Sequence, residues 1–457
     1  MTSKIKVDNI TDQGGNNMVV KCGTTQTLGT TGVTVALASG ASQTGFGRSG
    51  AVDWQTTPKT STFTAVSGEG YFINSGSALT MNLPAGSAGA IVAVSDYARN
   101  FATYNFTIQP NGSEKIGGTA GPITANVNGQ ALTLVYVDST KGWVNVQNAE
   151  DTEVGSTFIT ATGGTITTVC TNFKVHTFTG PGTFCISQGS GPDAKVDYLV
   201  IAGGGAGGSS GGAGGGAGGY RESKTAAVSG CWSASPLVAA CGSLGPFSPG
   251  PISVTVGAGG AVNPTPGSTG TAGSTGAASV FSSITSAGGG GGGARSSSIG
   301  PVTNGGSGGS GGGGSWDIPG TNSASTGGSG NTPPVSPPQG QNGGYGRHNG
   351  PTHSVPGGGG GAGGAGDNEG SGGPAGYGTG DGGDGVTSSI NGTPTARAGG
   401  GGGDTTYGGN GGTGGGGNRR VAGTANTGGG GGGGSDTTPT AAGAGGSGLV
   451  IIRYKFQ

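Results

Sequence analysis

Val196-Asp-Tyr-Leu-Val-Ile-Ala-Gly-Gly-Gly-Ala-Gly-Gly208 decides the fold. The first half reads as a strand that becomes apolar on both faces, and it runs directly into glycine. The chain continues Ser209-Ser-Gly-Gly-Ala-Gly-Gly-Gly-Ala-Gly-Gly219, so no helix opens there. The strand, the G-x-G-x-x-G match and Glu222 about 20 residues on imitate a dinucleotide site. Such a site needs a helix N-terminus to hold pyrophosphate, and polyglycine does not form one.

Outward from this stretch the composition is lopsided. Of 117 glycines, 27 precede residue 201 and 90 follow. The ordinary share is about 7%. Uninterrupted runs stand at 288–293, 311–314, 357–361, 399–403 and 428–434. These runs carry no side chains to bury, so only backbone hydrogen bonds can order them. Glycine adopts extended states at low steric cost. In polyproline II geometry each turn takes about three residues and every amide points outward. Several such helices without side chains can bond laterally. The runs therefore predict a sandwich of polyglycine II helices. A flexible linker is the competing reading of this composition. Against it, the chain closes with Gly448-Leu-Val-Ile-Ile-Arg-Tyr454, a strand suited to pair beside 196–202 and close a domain. Collagen is excluded because the runs break the Gly-X-Y period.

The expected fold class is all-β plus polyglycine II, in three parts. Residues 1–60 read as a Thr/Gly/Ser-rich fibre or anchoring segment, with short runs such as 31–37, too poor in apolar residues for its own core. Residues 61–150 alternate in short strands every 8–12 residues, the pattern of a β-sandwich-like domain. Residues 155–457 form the glycine-rich domain, entered through strands near 157–160, 165–168, 174–179 and 182–186.

The chain has 19 basic and 20 acidic residues, so no basic stripe points to nucleic acid. Nothing approaches the ~20 apolar residues of a membrane span, and the first residues lack a signal peptide's apolar region. Five cysteines show no metal spacing. Unpaired small hydrophobes and two disulfides, Cys170–Cys185 and Cys231–Cys241, remain open readings. No P-loop or nucleophile elbow stands in a strand–helix context. His176 alternates within a strand and reads as structural. Asp381 and Asp384 lack further acidic ligands for calcium and read as turn residues. No cofactor, metal or catalytic set is expected, and the chain does not read as an enzyme. A glycan-degrading spike would need clustered carboxylates.

Polar inserts at 220–256, 316–355 and 367–398 gather aromatics with little charge. Tyr and Trp bring rigid contact area with a polar handle, and loops on a rigid scaffold suit a binding surface. The candidate receptor-binding residues are Trp316, Tyr345, Arg347, His348, His353, Tyr377 and Tyr407. Four prolines, Pro333, Pro334, Pro337 and Pro338, stiffen the insert 316–355, which carries the first five.

Lys174-Val-His-Thr-Phe-Thr-Gly-Pro-Gly-Thr-Phe184, the stretch 196–208, the glycine runs and Gly445–Tyr454 resemble the glycine-rich domain of bacteriophage tail-fibre adhesins. Lys4-Ile-Lys-Val-Asp-Asn-Ile-Thr11 and Leu134-Val-Tyr-Val-Asp-Ser-Thr-Lys-Gly-Trp143 look like fibre proteins of tailed phages. The resemblance implies a virion protein, assembled in the host cytoplasm. It further implies attachment to a host surface protein or glycan through loops on polyglycine II helices, with residues 1–60 held to other virion proteins. Unlike the separate adhesins of T-even-like phages, this chain carries its own stalk. A structural head or collar fibre is the alternative. The first 60 residues, too apolar-poor to fold alone, predict a homotrimer that pairs their exposed edges.

Overall fold

The computed structural model describes residues 9–11, 17–22, 25–28, 52–147, 157–191, 194–224, 232–239, 242–262, 270–295, 304–316, 325–348, 354–368, 379–405, 409–435 and 441–456. Every regular element among them is a β-strand. Two compact units divide the chain at Asp53 and Trp54. In the first, Asn9–Thr11, Asn17–Cys22 and Thr25–Leu28 make a three-stranded antiparallel sheet. The expected strand at 31–37 lies outside the described residues.

The second unit begins with two sheets. One has seven strands, in the order Thr119–Ala120, Lys115–Ile116, Gly142–Asn145, Ala131–Asp138, Ile91–Asp96, Glu69–Ile73, Asp53–Lys59. The other has four, in the order Ile123–Ala125, Phe106–Gln109, Leu79–Asn82, Phe63–Thr64. Alternation along the strands sends Tyr71, Ile73, Met81, Ile108, Leu134 and Trp143 into one shared core. Trp143 is fully buried, and its Nε1 donates to Glu114 Oε2 (3.1 Å).

Two further sheets form the base of the glycine-rich region. The five-stranded sheet runs Thr157–Thr162, Gly182–Ser190, Gly250–Thr255, Ser279–Phe281, Ile284–Ser286. The six-stranded sheet runs Thr165–Val169, Phe173–Phe178, Leu449–Lys455, Asp197–Ile201, Tyr220–Ser223, Val238–Ala239. Leu449–Lys455 lies between Phe173–Phe178 and Asp197–Ile201, antiparallel to both. The doubly apolar reading of 196–202 has a direct cause. Val200, Ile452 and Tyr454 face a core shared with Phe184 and Phe281. Leu199, Ile201 and Ile451 face a second core, which Ala217, Ala362 and Ala398 join from the glycine runs.

From the ends of these strands the glycine segments run out and back with few side chains to pack. Their order comes from amides that turn through three directions in succession. Gly203, Ala206 and Ser209 donate to Ala277, Ser274 and Thr271. Gly204 and Gly207 donate to Gly446 and Gly443, and Gly205 and Gly208 to Gly216 and Ala213. The partner segment therefore changes with every residue and recurs every third.

Residues 212–219 show the arrangement at its fullest. Gly212, Gly215 and Gly218 donate to Gly434, Gly431 and Gly428; Ala213, Gly216 and Gly219 to Gly293, Gly290 and Ala287; Gly214 and Ala217 to Gly357 and Gly360. These bonds span 2.8–3.2 Å. The carbonyls of the same run accept from Ala202, Gly205 and Gly208, from Ser310 and Gly313, and from Gly401 and Asp404. Six segments thus surround one, and its residues are all buried. A Cβ at Gly214 would fall on the Gly401 carbonyl and one at Gly216 on that of Ser310. Glycine is required here for close approach.

Candidate functional site

The ladder of partners fixes a near and a far end for every segment. Gly219, Ala287, Gly428 and Ala202 are linked beside the sheets, while Gly212, Gly434, Asp404 and Gly208 are linked at the opposite end. The far end carries the turn Ser209–Gly211 with Arg295, Trp316, Tyr345, Asn368, Asp404, Arg419 and Arg420. From these surroundings the segments 263–269, 296–303, 317–324, 349–353, 369–378, 406–408 and 436–440 connect in sequence; they lie outside the described residues.

The centre of this pole is built on the turn after 202–208. Ser210 (φ +54°) and Gly211 (φ +65°) reverse the chain. Gly211 sits against the Trp316 indole, so a Cβ there would collide with Nε1. Trp316 is buried, 7% exposed, and the Arg295 guanidinium lies 4.3 Å from its ring centroid. Beside it, the Asp404 amide bonds the Gly212 carbonyl (3.0 Å). The Asp404 carboxylate, only 7% exposed, holds two guanidiniums: Arg419 Nε at 3.2 Å and Arg420 Nη2 at 3.0 Å. Arg419 Nη1 also donates to the Thr405 carbonyl (2.6 Å). Charge-assisted bonds of this kind fix planar groups in direction as well as place. Sequence reading missed Arg295, Asp404, Arg419 and Arg420. Their signal was position: each stands where a glycine run stops.

The sequence-derived candidates separate. Trp316, Tyr345 and Arg347 share the far pole, where Ser325 and Gly346 exchange backbone bonds next to Ser315. Tyr345 is exposed, and its amide donates to Asn368 Oδ1 (3.0 Å). Arg347 and His348 form a short strand paired with Ser354–Val355. His353, Tyr377 and Tyr407 lie outside the described residues. Trp316 packs on the Gly211 turn with the Arg295 guanidinium over its ring.

The insert 316–355 does not form one loop. Its proline stretch lies at the near end, where Gln339 O accepts from Tyr220 N (2.9 Å) and Gln339 Oε1 from Ala287 N (2.9 Å). The stiffening prolines are thus remote from Trp316. Described parts of 220–256 also belong to the base, and the hairpin of Val386–Ser388 and Thr395–Arg397 bonds Ser233 there through the Ser389 amide.

Asp381 Oδ1 accepts from Asn410 N (2.7 Å), and Asp384 Oδ1 from the amide and hydroxyl of Thr413 (2.8 Å each). Both carboxylates tie adjacent segments. Burial, then the nearby Asp381 carboxylate, push the Asp367 carboxyl above the usual range. Among the described residues no group of three potential ligands could hold a metal ion. Cys170 is disulfide-bonded while Cys185 is a free exposed thiol, so of the two open readings the Cys170–Cys185 pair is not formed.

His176 is wholly buried. Its Nδ1 lies 2.7 Å from the Gly163 carbonyl, which can only accept, so Nδ1 carries the proton. Nε2 then accepts from the Tyr454 hydroxyl at 2.9 Å. Burial holds this imidazole below its ordinary pKa and pushes Tyr454 up to about 12.

No curated protein matches the chain. A family model described as a glycine-rich domain matches residues 177–455, from the base strand Phe173–Phe178 through every glycine segment to Leu449–Lys455. That match spans more than half of the sequence and contains every glycine segment of the hydrogen-bonded array, and the chain belongs to this glycine-rich domain family.

Proposed function

We propose that the protein is a non-enzymatic attachment protein of a bacteriophage fibre, which meets the host cell surface through the far pole of its glycine-rich domain. The observation that carries this reading is a separation. The entering strand Asp197–Ile201 and the returning strand Leu449–Lys455 lie side by side at one end. The residues that interrupt the glycine segments at the other end gather around Gly211. Anything held at the base presents that pole outward. The three-residue recurrence of partners and the six neighbours of 212–219 support polyglycine II helices as the scaffold, since that geometry turns every ~three residues. A rigid array lowers the ordering cost that loops otherwise carry into binding.

The test replaces residues 317–324 and 369–378 by short Gly-Ser bridges in the intact particle. Attachment to the host should fall at least tenfold while assembly is unchanged. Unchanged adsorption would mean that the domain is a spacer, as in a head or collar fibre.

A further inference from the structure

An asparagine followed by glycine is a place where a chain can modify itself. The glycine nitrogen attacks the asparagine Cγ, and the missing Cβ leaves its approach open. The new N–Cγ bond closes a succinimide ring, and the side-chain nitrogen leaves as ammonia. Water then opens the ring at either carbonyl, giving aspartate or isoaspartate. The fold must supply two things: an amide nitrogen that is not already donating, and a side chain free to turn onto it.

The sequence holds seven such pairs, and only Asn349-Gly350 lies outside the described residues. In five of the other six the glycine amide is already committed. Gly129 donates to Asp96 Oδ2 (2.9 Å), Gly305 to the Thr326 carbonyl (2.9 Å) and Gly343 to that of Gly328 (3.0 Å). Gly392 donates to the Ser389 carbonyl (2.8 Å), and Gly411 to Asn418 Oδ1 (2.9 Å). Three of the asparagine side chains are held as well. Asn128 Oδ1 accepts from Ala102 N, Asn304 Oδ1 from Thr326 N and Asn342 Oδ1 from Gly330 N.

The sixth pair, Asn111-Gly112, differs on both counts. It stands in the turn between Phe106–Gln109 and Lys115–Ile116, and both residues are exposed. Among the described residues neither the Gly112 amide nor the Asn111 carboxamide has a hydrogen-bond partner. A Cβ at Gly112 would meet nothing within 4 Å, so the space beside the pair is open. We propose that Asn111-Gly112 is a self-modification site, which deamidates through succinimide while the protein stays folded. Water is its only co-reactant. The product adds one negative charge to the turn, and isoaspartate adds a methylene to the backbone. That change reaches a structural residue directly. The Asn111 carbonyl accepts from Glu114 N (3.0 Å), and the Glu114 carboxylate accepts from Gly86 N (2.8 Å) and Trp143 Nε1 (3.1 Å).

The test holds the full chain at pH 9 in oxygen-18 water and maps the products by peptide mass spectrometry. An isoaspartate-specific methyltransferase gives a second readout. In the folded protein Asn111 should take up heavy oxygen at least tenfold faster than Asn128, Asn304, Asn342, Asn391 and Asn410, and isoaspartate should dominate its product. In urea-unfolded protein the six rates should converge, because the reacting residues are the same at each. Asn418→Ala alters an exposed side chain and releases the Gly411 amide. Asn410 should then react at least threefold faster in the folded chain. An Asn111 that stays intact when folded yet reacts when unfolded would overturn the proposal. So would a folded rate at any amide-bonded pair equal to that at Asn111, or no response of Asn410 to Asn418→Ala.

Discussion

The Trp316 indole lies against Gly211, and this contact closes the far end of the central glycine run. It makes Trp316 a residue of stability before it is one of recognition. Trp316→Ala should cost about 3 kcal/mol or more, as for other buried aromatics. Gly211→Ala should cost about 1–3 kcal/mol, from its left-handed backbone and the collision with the ring. Chemical denaturation of both variants checks the pair.

Adjacent small residues in the same run should differ in what their exchange costs. Gly216 has the Ser310 carbonyl where a Cβ would stand, whereas Ala217 packs its methyl into the apolar cluster under the sheet. Gly216→Ala should destabilise by about 3 kcal/mol, the upper range for overpacking. Ala217→Gly should lose only about 1–2 kcal/mol, from one methyl and added chain entropy. Similar costs for the two would contradict the close approach of the segments.

Such contrasts mark what sequence could convey. The strands at 196–202 and 449–454 were legible because both faces are apolar, and the structure sets them side by side. The strands of the seven- and four-stranded sheets that share a core were legible through alternation, while Asp53–Lys59, polar and half-exposed, was not. The candidate site was harder. Polyglycine has no face, so the direction of each passage could not be counted, and the prolines of 316–355 were placed with Trp316 instead of at the base. Asp404 meets Arg419 and Arg420 only through the return of two separate segments.

The Asp404 carboxylate is the hub of that meeting. Asp404→Ala should lower stability by about 2 kcal/mol, since it strips charged partners from two guanidiniums. Asp404→Asn should cost less because one acceptor oxygen remains. Thermal unfolding separates the two, and a loss near zero in both would show that the ion pairs matter little.

Buried His176 predicts a pH response. Its folded pKa is lowered, so between that value and the unfolded value of about 6.5 the unfolded chain binds more protons. Its contribution is full above about pH 6.5 and is lost as pH falls through the folded pKa. The limiting slope for one group is about 1.4 kcal/mol per pH unit. Protonated Nε2 can no longer accept from the Tyr454 hydroxyl. Urea denaturation at pH 7 and pH 5 should show the loss, and His176→Asn should abolish that part of it.

The central claim is that glycine without side chains forms one ordered scaffold whose amides are bonded segment to segment. Amide hydrogen exchange of the intact protein, resolved over residues 212–219, tests it most directly. The account predicts that these glycines exchange as slowly as Asp197–Ile201 and Leu449–Lys455, opening only with the whole domain. Exchange of 212–219 at the rate of an unstructured peptide, with the two strands still protected, would contradict it.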